Sequence, residues 1–181
     1  MHSIKMLVLL AAAAACSAHA QENAGARWPI DDVPAPTTEI ALELRVSIGP
    51  AVSVGQSDSG TRQFIPITGG RFKGDGIEGE VMAGGADWQL VRADGAVEVH
   101  ALYSLRTSDG AVIVVDNNGI IVPPAASAPG AGPAATAYVR TVPQFHAPKG
   151  RYEWLNKTVF IGTITPAPGG GAVIIRAFRV R

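Results

Sequence analysis

Three Asp-Gly or Asn-Gly pairs divide the middle of this sequence into short apolar segments. The pairs are Asp94-Gly95, Asp109-Gly110 and Asn118-Gly119. Because these residue types tolerate the positive φ angles of tight turns between antiparallel strands, each pair predicts a β-hairpin. A chain punctuated in this way pairs strands that are neighbours in sequence, which favours an all-β architecture.

The segments around these turns show the alternation of half-buried strands. In ALELRVSI (residues 41–48) the apolar Leu42, Leu44, Val46 and Ile48 share one face, and polar residues occupy the other. RYEWLNK (151–157) is typical of a short helical turn. Further strands are expected within residues 62–67, 79–85, 87–122, 138–145, 158–165 and 171–180.

Many short antiparallel strands form either a sandwich or a closed barrel. A closed barrel is favoured because it leaves no exposed sheet edges. The expected fold is a single small antiparallel β-barrel of about eight or more strands over residues 38–181, with an interior that side chains fill or a small ligand occupies. Residues 123–137, PPAASAPGAGPAATA, lack the side chains to bury a face and predict one long exposed loop.

The first twenty residues have the pattern of a cleaved signal peptide. Lys5 precedes a short apolar stretch, and Ala18-His19-Ala20 supplies the small residues that signal peptidases require. Lipidation of Cys16 is the less favoured alternative, because Ala13-Ala14-Ala15 lacks the usual larger aliphatic residue. We therefore expect an exported bacterial protein, periplasmic or secreted, with a flexible leader at residues 21–37.

Composition argues against several partners and cofactors. The whole chain has 15 basic and 15 acidic residues, and removing residues 1–20 takes away one lysine and no acid, so nucleic acid is not an expected partner. The single cysteine lies in the signal, and only His100 and His146 remain beyond it, so neither a disulfide nor a metal site is expected. Beyond the signal, the chain has no segment apolar enough for a transmembrane helix, no glycine-rich phosphate loop and no serine-hydrolase elbow. No cofactor is therefore expected.

Three polar residues in apolar strands are candidate catalytic groups. Asp87 is either a turn cap or a carboxylate in an aromatic pocket, where burial would raise its pKa toward acid–base use. Arg140 has two interpretations. It forms a salt bridge to an acid such as Glu98 or Asp87, or its guanidinium anchors a carboxylate, phenolate or enolate of a ligand. His100 is either an exposed strand residue or a base.

Aromatic and amide side chains are candidates for the wall of a pocket, although packing in the core or at the rim is the favoured explanation for Trp88, Tyr152 and Trp154. In GGADWQLV (84–91) a regular strand would put Asp87 and Gln89 on one face and Trp88 on the other. We expect Asp87 to point inward, unless a bulge at Gly84-Gly85 re-aims one of these side chains. The candidate ligand-binding residues are Trp88, Gln89, Tyr103, Tyr152, Trp154 and Asn156.

Segments with these motifs, spread over residues 40–180, resemble the domain-of-unknown-function family 3237, also called uncharacterised protein family 0311. The resemblance rests on ITGG, GGADWQ and WLN, together with YVRTVPQF. It implies a small antiparallel β-barrel and leaves the activity unassigned. The residues it marks as typical of the family are Asp87, Trp88, Gln89, Arg140, Phe145, Tyr152, Trp154, Leu155 and Asn156.

The chain departs from the family pattern at two neighbouring positions. Where the family typically reads Leu-Asp-Ala-Arg-Tyr, residues 99–103 read VHALY, so His100 replaces an acid and Leu102 a basic residue. A role for those two positions that the family shares is therefore in doubt. The signal and the 123–137 segment also look like additions to the family plan.

Three classes of function fit these observations. The first is a cofactor-free isomerase, cyclase or lyase for a small aromatic or carbonyl-bearing compound, in which Asp87 moves a proton and Arg140 stabilises an oxyanion. The second is a periplasmic carrier that binds a small apolar acid without chemistry. The third is a structural or partner-binding barrel with a filled interior, and a homodimer is one expected assembly.

Overall fold

Ten antiparallel strands and one short 3-10 helix make up the part of the chain that the structure describes, residues 33–124 and 136–181 of a computed structural model. The β-rich unit covers Thr37–Arg181. The signal, Cys16, most of the leader and most of the 123–137 segment lie outside the described residues, and those interpretations stay predictions. The 3-10 helix is too short to cross a membrane, and no helix among the described residues is long and apolar enough to do so.

The strands follow one another along the chain. Their bounds are β1 (Thr38–Ile48), β2 (Val52–Ser57), β3 (Gly60–Gly74), β4 (Ile77–Val81), β5 (Gly85–Val91), β6 (Val97–Thr107), β7 (Val112–Val122), β8 (Tyr138–His146), β9 (Phe160–Pro166) and β10 (Ala172–Val180). The 3-10 helix, Glu153–Lys157, lies between β8 and β9, where the sequence predicted a helical turn.

The sheet closes on itself because β1 pairs with both β10 and β3. Around the ring the order is β1, β10, β9, β8, β7 and β6, after which β4 and β5 share one position between β6 and β3. The strands thus form an eight-position barrel, and β2 lies beyond it on the edge of β3. The all-β barrel predicted from the sequence is confirmed.

Large side chains fill one half of the barrel interior. Phe145 and Phe160 meet edge to face, with ring centroids 4.9 Å apart, and Trp154 of the 3-10 helix packs against Phe160. Alternate residues of each strand supply the rest, as the period of a strand requires. Further buried residues of this core are Leu42, Leu44, Phe72, Ile77, Val81, Leu105, Ile113, Val115 and Leu155.

Two of the three predicted hairpin turns are confirmed. Gly95 and Gly110 have φ angles of 82° and 91° and connect β5 to β6 and β6 to β7. The Asn118-Gly119 turn is wrong, because both residues lie inside β7 and pair with β6 and β8. The expected strand at 79–85 is likewise divided, since β4 ends at Val81 and β5 begins at Gly85.

The glycine inside β7 has a packing reason. A Cβ atom at Gly119 would lie 2.4 Å from the carbonyl oxygen of Arg140 and 2.5 Å from Cγ2 of Thr141 on the adjacent strand. The close approach of β8 therefore explains a glycine at this position without any turn.

We expect Gly119→Ala to lower the free energy of unfolding by about 1–3 kcal/mol, because the new methyl group must displace the β8 backbone. Gly49→Ala is the matched control, since its Cβ would meet only Pro66 at 3.6 Å. That change should shift stability by less than about 1 kcal/mol. Chemical denaturation measures both, and equal effects of the two changes would contradict the close-packing explanation.

Candidate functional site

The other half of the barrel interior contains a cavity of about 350 Å³. It lies toward the end of the barrel where β1, β5, β7 and β9 end. Its wall is mostly aliphatic and includes Val46, Ile48, Ile65, Val99, Ile164 and Ile175. Four polar side chains interrupt this wall: Asp87, Gln89, Tyr103 and Asn117. An apolar cavity with a few convergent polar groups has the general character of a small-molecule site.

Strand register places the acid inside the barrel and the indole outside. Asp87 pairs with Ala101, which is buried, whereas Trp88 pairs with His100 on the outer surface. Trp88 is 51% exposed and packs against Phe64, with ring centroids 4.7 Å apart. The alternation read from GGADWQLV therefore separates these two candidates, and Asp87 lines the cavity.

A chain of amides holds the carboxylate of Asp87. Gln89 Nε2 donates to Asp87 Oδ2 at 2.6 Å, and Gln63 Nε2 donates to Gln89 Oε1 at 2.8 Å. The backbone N–H of His100 donates to Asp87 Oδ1 at 3.1 Å. These contacts orient both carboxylate oxygens on the cavity wall.

Burial raises the pKa of Asp87 above its ordinary value. The hydrogen bonds from Gln89 and from the His100 backbone, and the charge of the His100 side chain, oppose this shift without cancelling it. Removal from water disfavours the ionised carboxyl, so Asp87 is a stronger base than an aspartate in water. A carboxylate whose basicity is raised in this way accepts a proton more readily than an ordinary aspartate.

Tyr103 provides the second titratable group of the cavity wall. The residue is 4% exposed, and both its burial and the nearby charge of Asp87 raise the pKa of its phenol. The hydroxyl therefore remains protonated across the physiological range. It is available as a hydrogen-bond donor to a ligand oxygen.

Asn117 is a cavity residue that the sequence analysis missed. It is 1% exposed, and no residue within 33–124 or 136–181 forms a hydrogen bond with its Oδ1. Asn117 directly precedes the Asn118-Gly119 pair that the sequence predicted as a turn. In the structure it lies within β7, where Ile113, Val115 and Asn117 occupy successive inward-facing positions. A polar residue in that apolar alternation was the signal that could have identified it.

The structure does not bring Arg140 to the cavity. On β8 the buried residues are Thr141, Pro143 and Phe145, so the even-numbered positions face outward. Arg140 is exposed, its guanidinium lies over the ring of Tyr138, and its Nη1 donates to the carbonyl oxygen of Val139 at 2.7 Å.

Neither acid considered as a partner for Arg140 pairs with it among the described residues. Glu98 instead pairs with Arg92, with Nη1 and Oε1 3.3 Å apart. The carboxylate of Asp87 accepts hydrogen bonds inside the barrel. Arg140 therefore lies outside the cavity site.

The imidazole of His100 also lies outside the barrel. Its Nε2 is 3.0 Å from Oδ1 of Asp116 on the adjacent strand. Leu102, the other position at which the chain departs from the family pattern, is exposed on the same outer face. Neither departure therefore alters the lining of the cavity.

Three further candidates lie toward the filled half of the barrel and have structural contacts. Tyr152 Oη donates to Asp109 Oδ2 at 2.9 Å, and Trp154 packs in the core. Asn156 lies in the 3-10 helix and hydrogen-bonds to the loop that precedes it. Its Nδ2 donates to the carbonyl oxygen of Ala147, and its Oδ1 accepts from the backbone N–H of Ala147. In the part of the chain that the structure describes, no three His, Cys, Asp or Glu side chains are grouped as metal ligands.

Comparison with known proteins gives this barrel a family context. The model of the family described as "Protein of unknown function (DUF3237)" matches residues 36–180. A UPF0311 protein of Rhodopseudomonas palustris strain TIE-1 is 36% identical over 131 residues, which cover 70% of this chain and 86% of that protein. The crystal structure of a beta-barrel like protein from Acinetobacter baumannii AYE superimposes with a TM-score of 0.72 at 31% identity and covers 83% of this chain and 99% of that one.

A relative with a named activity is more distant. The hydroalkoxylation enzyme phnH of Penicillium herquei is 30% identical over 128 residues, which cover 71% of this chain and 74% of that protein. The barrel is therefore similar both to proteins of unassigned function and to an enzyme.

The burial of Asp87 has a consequence for stability. Because the pKa of Asp87 is higher in the folded state than in the unfolded state, protonation of Asp87 stabilises the fold. This stabilisation is fully present below about pH 3.9, the ordinary pKa of an aspartate, and it is lost as the pH rises through the pKa of the folded state. We therefore expect Asp87→Asn, which is neutral at every pH, to be the more stable protein at pH 7. The amides of Gln89 and Gln63 can flip to accept the new donor.

Thermal unfolding of the wild type and Asp87→Asn between pH 7 and pH 3 measures this linkage. The advantage of the variant should shrink steadily as the pH falls. Asp75→Asn, in the exposed turn between β3 and β4, is the control and should show no such trend. An advantage of the wild type that grows from pH 3 to pH 7 would contradict the raised pKa.

Proposed function

Because the chain belongs to the DUF3237 family of proteins of unknown function, and one enzyme relative is named for hydroalkoxylation, we propose that it is a cofactor-free enzyme acting in the barrel cavity. The proposed reaction is the intramolecular addition of a hydroxyl group to a conjugated carbon–carbon double bond. The proposed substrates are small aromatic ketones whose hydroxyl and double bond are in one molecule.

A single observation carries this proposal. Asp87 is the one carboxyl group among the described residues that line the cavity, and its pKa is raised by burial in a largely aliphatic wall. Tyr103, held protonated, lies within the electrostatic reach of that carboxylate. A base and a hydrogen-bond donor that share an apolar cavity can move protons and stabilise an oxyanion in the same substrate.

The proposed step uses Asp87 twice. Its carboxylate removes the proton of the substrate hydroxyl while that oxygen bonds to the β-carbon, and the π electrons shift to the carbonyl oxygen as an enolate. Protonated Asp87 then gives the same proton to the α-carbon. One O–H and one C=C π bond are exchanged for one C–O and one C–H bond, so the reaction is an isomerisation that needs no oxidant, reductant or second substrate.

Tyr103 takes the role that the sequence analysis assigned to Arg140. Tyr103 is buried and lines the cavity, and in the proposed step its hydroxyl donates to the carbonyl oxygen as negative charge develops there. A donor fixed in an apolar cavity stabilises such charge without the reorganisation that water requires. The aliphatic side chains around it exclude water, which strengthens the interaction.

The probe for this proposal is 1-(2-hydroxyphenyl)but-2-en-1-one, which closes to 2-methylchroman-4-one. We expect the purified protein to accelerate ring closure and to give one enantiomer in excess, because the cavity is chiral and the uncatalysed reaction yields a racemate. Asp87→Asn should lower kcat by about 100-fold or more. Loss of the enone absorbance and chiral chromatography of the product measure both effects.

Asp116→Asn is the matched control, since it removes a carboxylate from the outer face of β7. It should retain activity, and so should Arg140→Ala. A racemic product at the background rate would overturn the enzyme proposal. If the chromanone still stabilises the wild type against heat, that result would favour the carrier instead.

Filling the cavity provides a separate test. Ala101 is buried on the inner face beside Asp87, and Ala101→Leu adds three carbons to the cavity. We expect this variant to remain folded and to lose binding of 2-methylchroman-4-one by calorimetry. Ala86→Leu adds the same atoms on the outward-facing side of the adjacent strand and should bind as the wild type does. Unchanged binding by Ala101→Leu would show that the ligand lies elsewhere.

A further inference from the structure

We propose that Asn117 selects the substrate by accepting a hydrogen bond from a second hydroxyl group, one that takes no part in the ring closure. This inference rests on the proposed function of the cavity and narrows its substrate class. The preferred ligands are then dihydroxyaryl ketones, in which one hydroxyl reacts at Asp87 and the other binds Asn117.

The barrel register places these two groups on either side of one small residue. Asp87 pairs with Ala101, and Ala101 pairs with Asn117, so the three side chains form one row across β5, β6 and β7 on the inner face. Neighbouring strands are about 4.8 Å apart, which puts the Cα atoms of Asp87 and Asn117 about 10 Å apart. The methyl group of Ala101 leaves the space between the two polar groups open to a ring.

The carboxamide oxygen of Asn117 is buried and has no hydrogen-bond partner among the described residues. Asn117 is 1% exposed and lines the cavity, and its Oδ1 accepts no hydrogen bond. The hydroxyl of Thr141, which is also buried and unpartnered, does not donate to it. An acceptor withdrawn from water and left unpaired destabilises the fold, so a donor supplied by a ligand would remove that penalty.

The chemistry of the unpaired atom defines the ligand group. A carboxamide oxygen is an acceptor only, so its partner must carry an O–H or N–H. A hydroxyl fits this requirement, whereas the corresponding methyl ether cannot donate and would leave Oδ1 unpaired. The reacting hydroxyl cannot fill this role, because its only proton passes to Asp87.

The hydroxyl preference is measured with two matched ligands. The first is 7-hydroxy-2-methylchroman-4-one and the second its 7-methoxy ether; both contain the ring made in the proposed reaction. We expect the wild type to bind the hydroxy compound at least about tenfold more tightly, since one buried hydrogen bond distinguishes them. Asn117→Leu should bind both compounds with equal affinity.

Thr141→Val provides the matched control. It removes the other buried, unpartnered side-chain oxygen, and Thr141 is not among the residues that line the cavity. In the absence of ligand, both Asn117→Leu and Thr141→Val should raise the midpoint of thermal unfolding, because each removes an unpaired polar atom. Only Asn117→Leu should abolish the hydroxyl preference.

Binding to the wild type separates failure of this inference from failure of the proposed function. Equal affinities for the two compounds, or a preference that survives Asn117→Leu, would overturn the role of Asn117 and leave the cavity as a site. A lowered unfolding midpoint for ligand-free Asn117→Leu would also overturn it, since that result indicates a structural hydrogen bond. If neither compound binds the wild type, both the cavity site and this inference fail.

Discussion

Closure of the sheet through the two pairings of β1 is the constraint on which the rest of the structure depends. Because β1 is bonded to β10 on one side and to β3 on the other, every strand of the ring has a defined inner and outer face. A shift of register by one residue would exchange those faces throughout a strand. In β5 it would bring Trp88 into the barrel and expose Asp87, so the chemistry of the cavity depends on backbone pairing that is set far from it.

The interior divides into a half that stabilises the fold and a half that is available for a ligand. Phenylalanine rings and leucine side chains fill the first half, while shorter β-branched residues and Ala101 border the second. The cavity half also contains two polar groups whose burial is costly, the carboxyl of Asp87 and the unpaired oxygen of Asn117. Polar groups that reduce stability where they are buried are typical of functional sites, and the packed half offsets their cost.

Family membership supports the architecture of this protein, whereas the proposed activity depends on the residues of its cavity. Similarity to UPF0311 proteins and to a beta-barrel like crystal structure establishes the architecture, which hosts proteins without an assigned function. The hydroalkoxylation enzyme demonstrates that at least one related chain is an enzyme. The assignment proposed for this chain therefore depends on its own cavity residues, since a shared fold does not by itself transfer an activity.

The alternation of apolar and polar residues predicted most of the strands and grouped their residues by face, but it did not predict β2 and it joined the end of β4 to the start of β5. It separated Asp87 from Trp88, and the same period of two puts Tyr103 on the face of β6 that also carries Val99 and Ala101. Local sequence could not determine which face of β8 points inward, because Arg140 and Thr141 belong to opposite faces of one regular strand and only the packed neighbours decide between them. Local sequence also predicted a turn at Asn118-Gly119, and Asn117 was missed for that reason. The glycine is required because the backbone of β8 lies close to it. That contact between strands exists only after the barrel has closed.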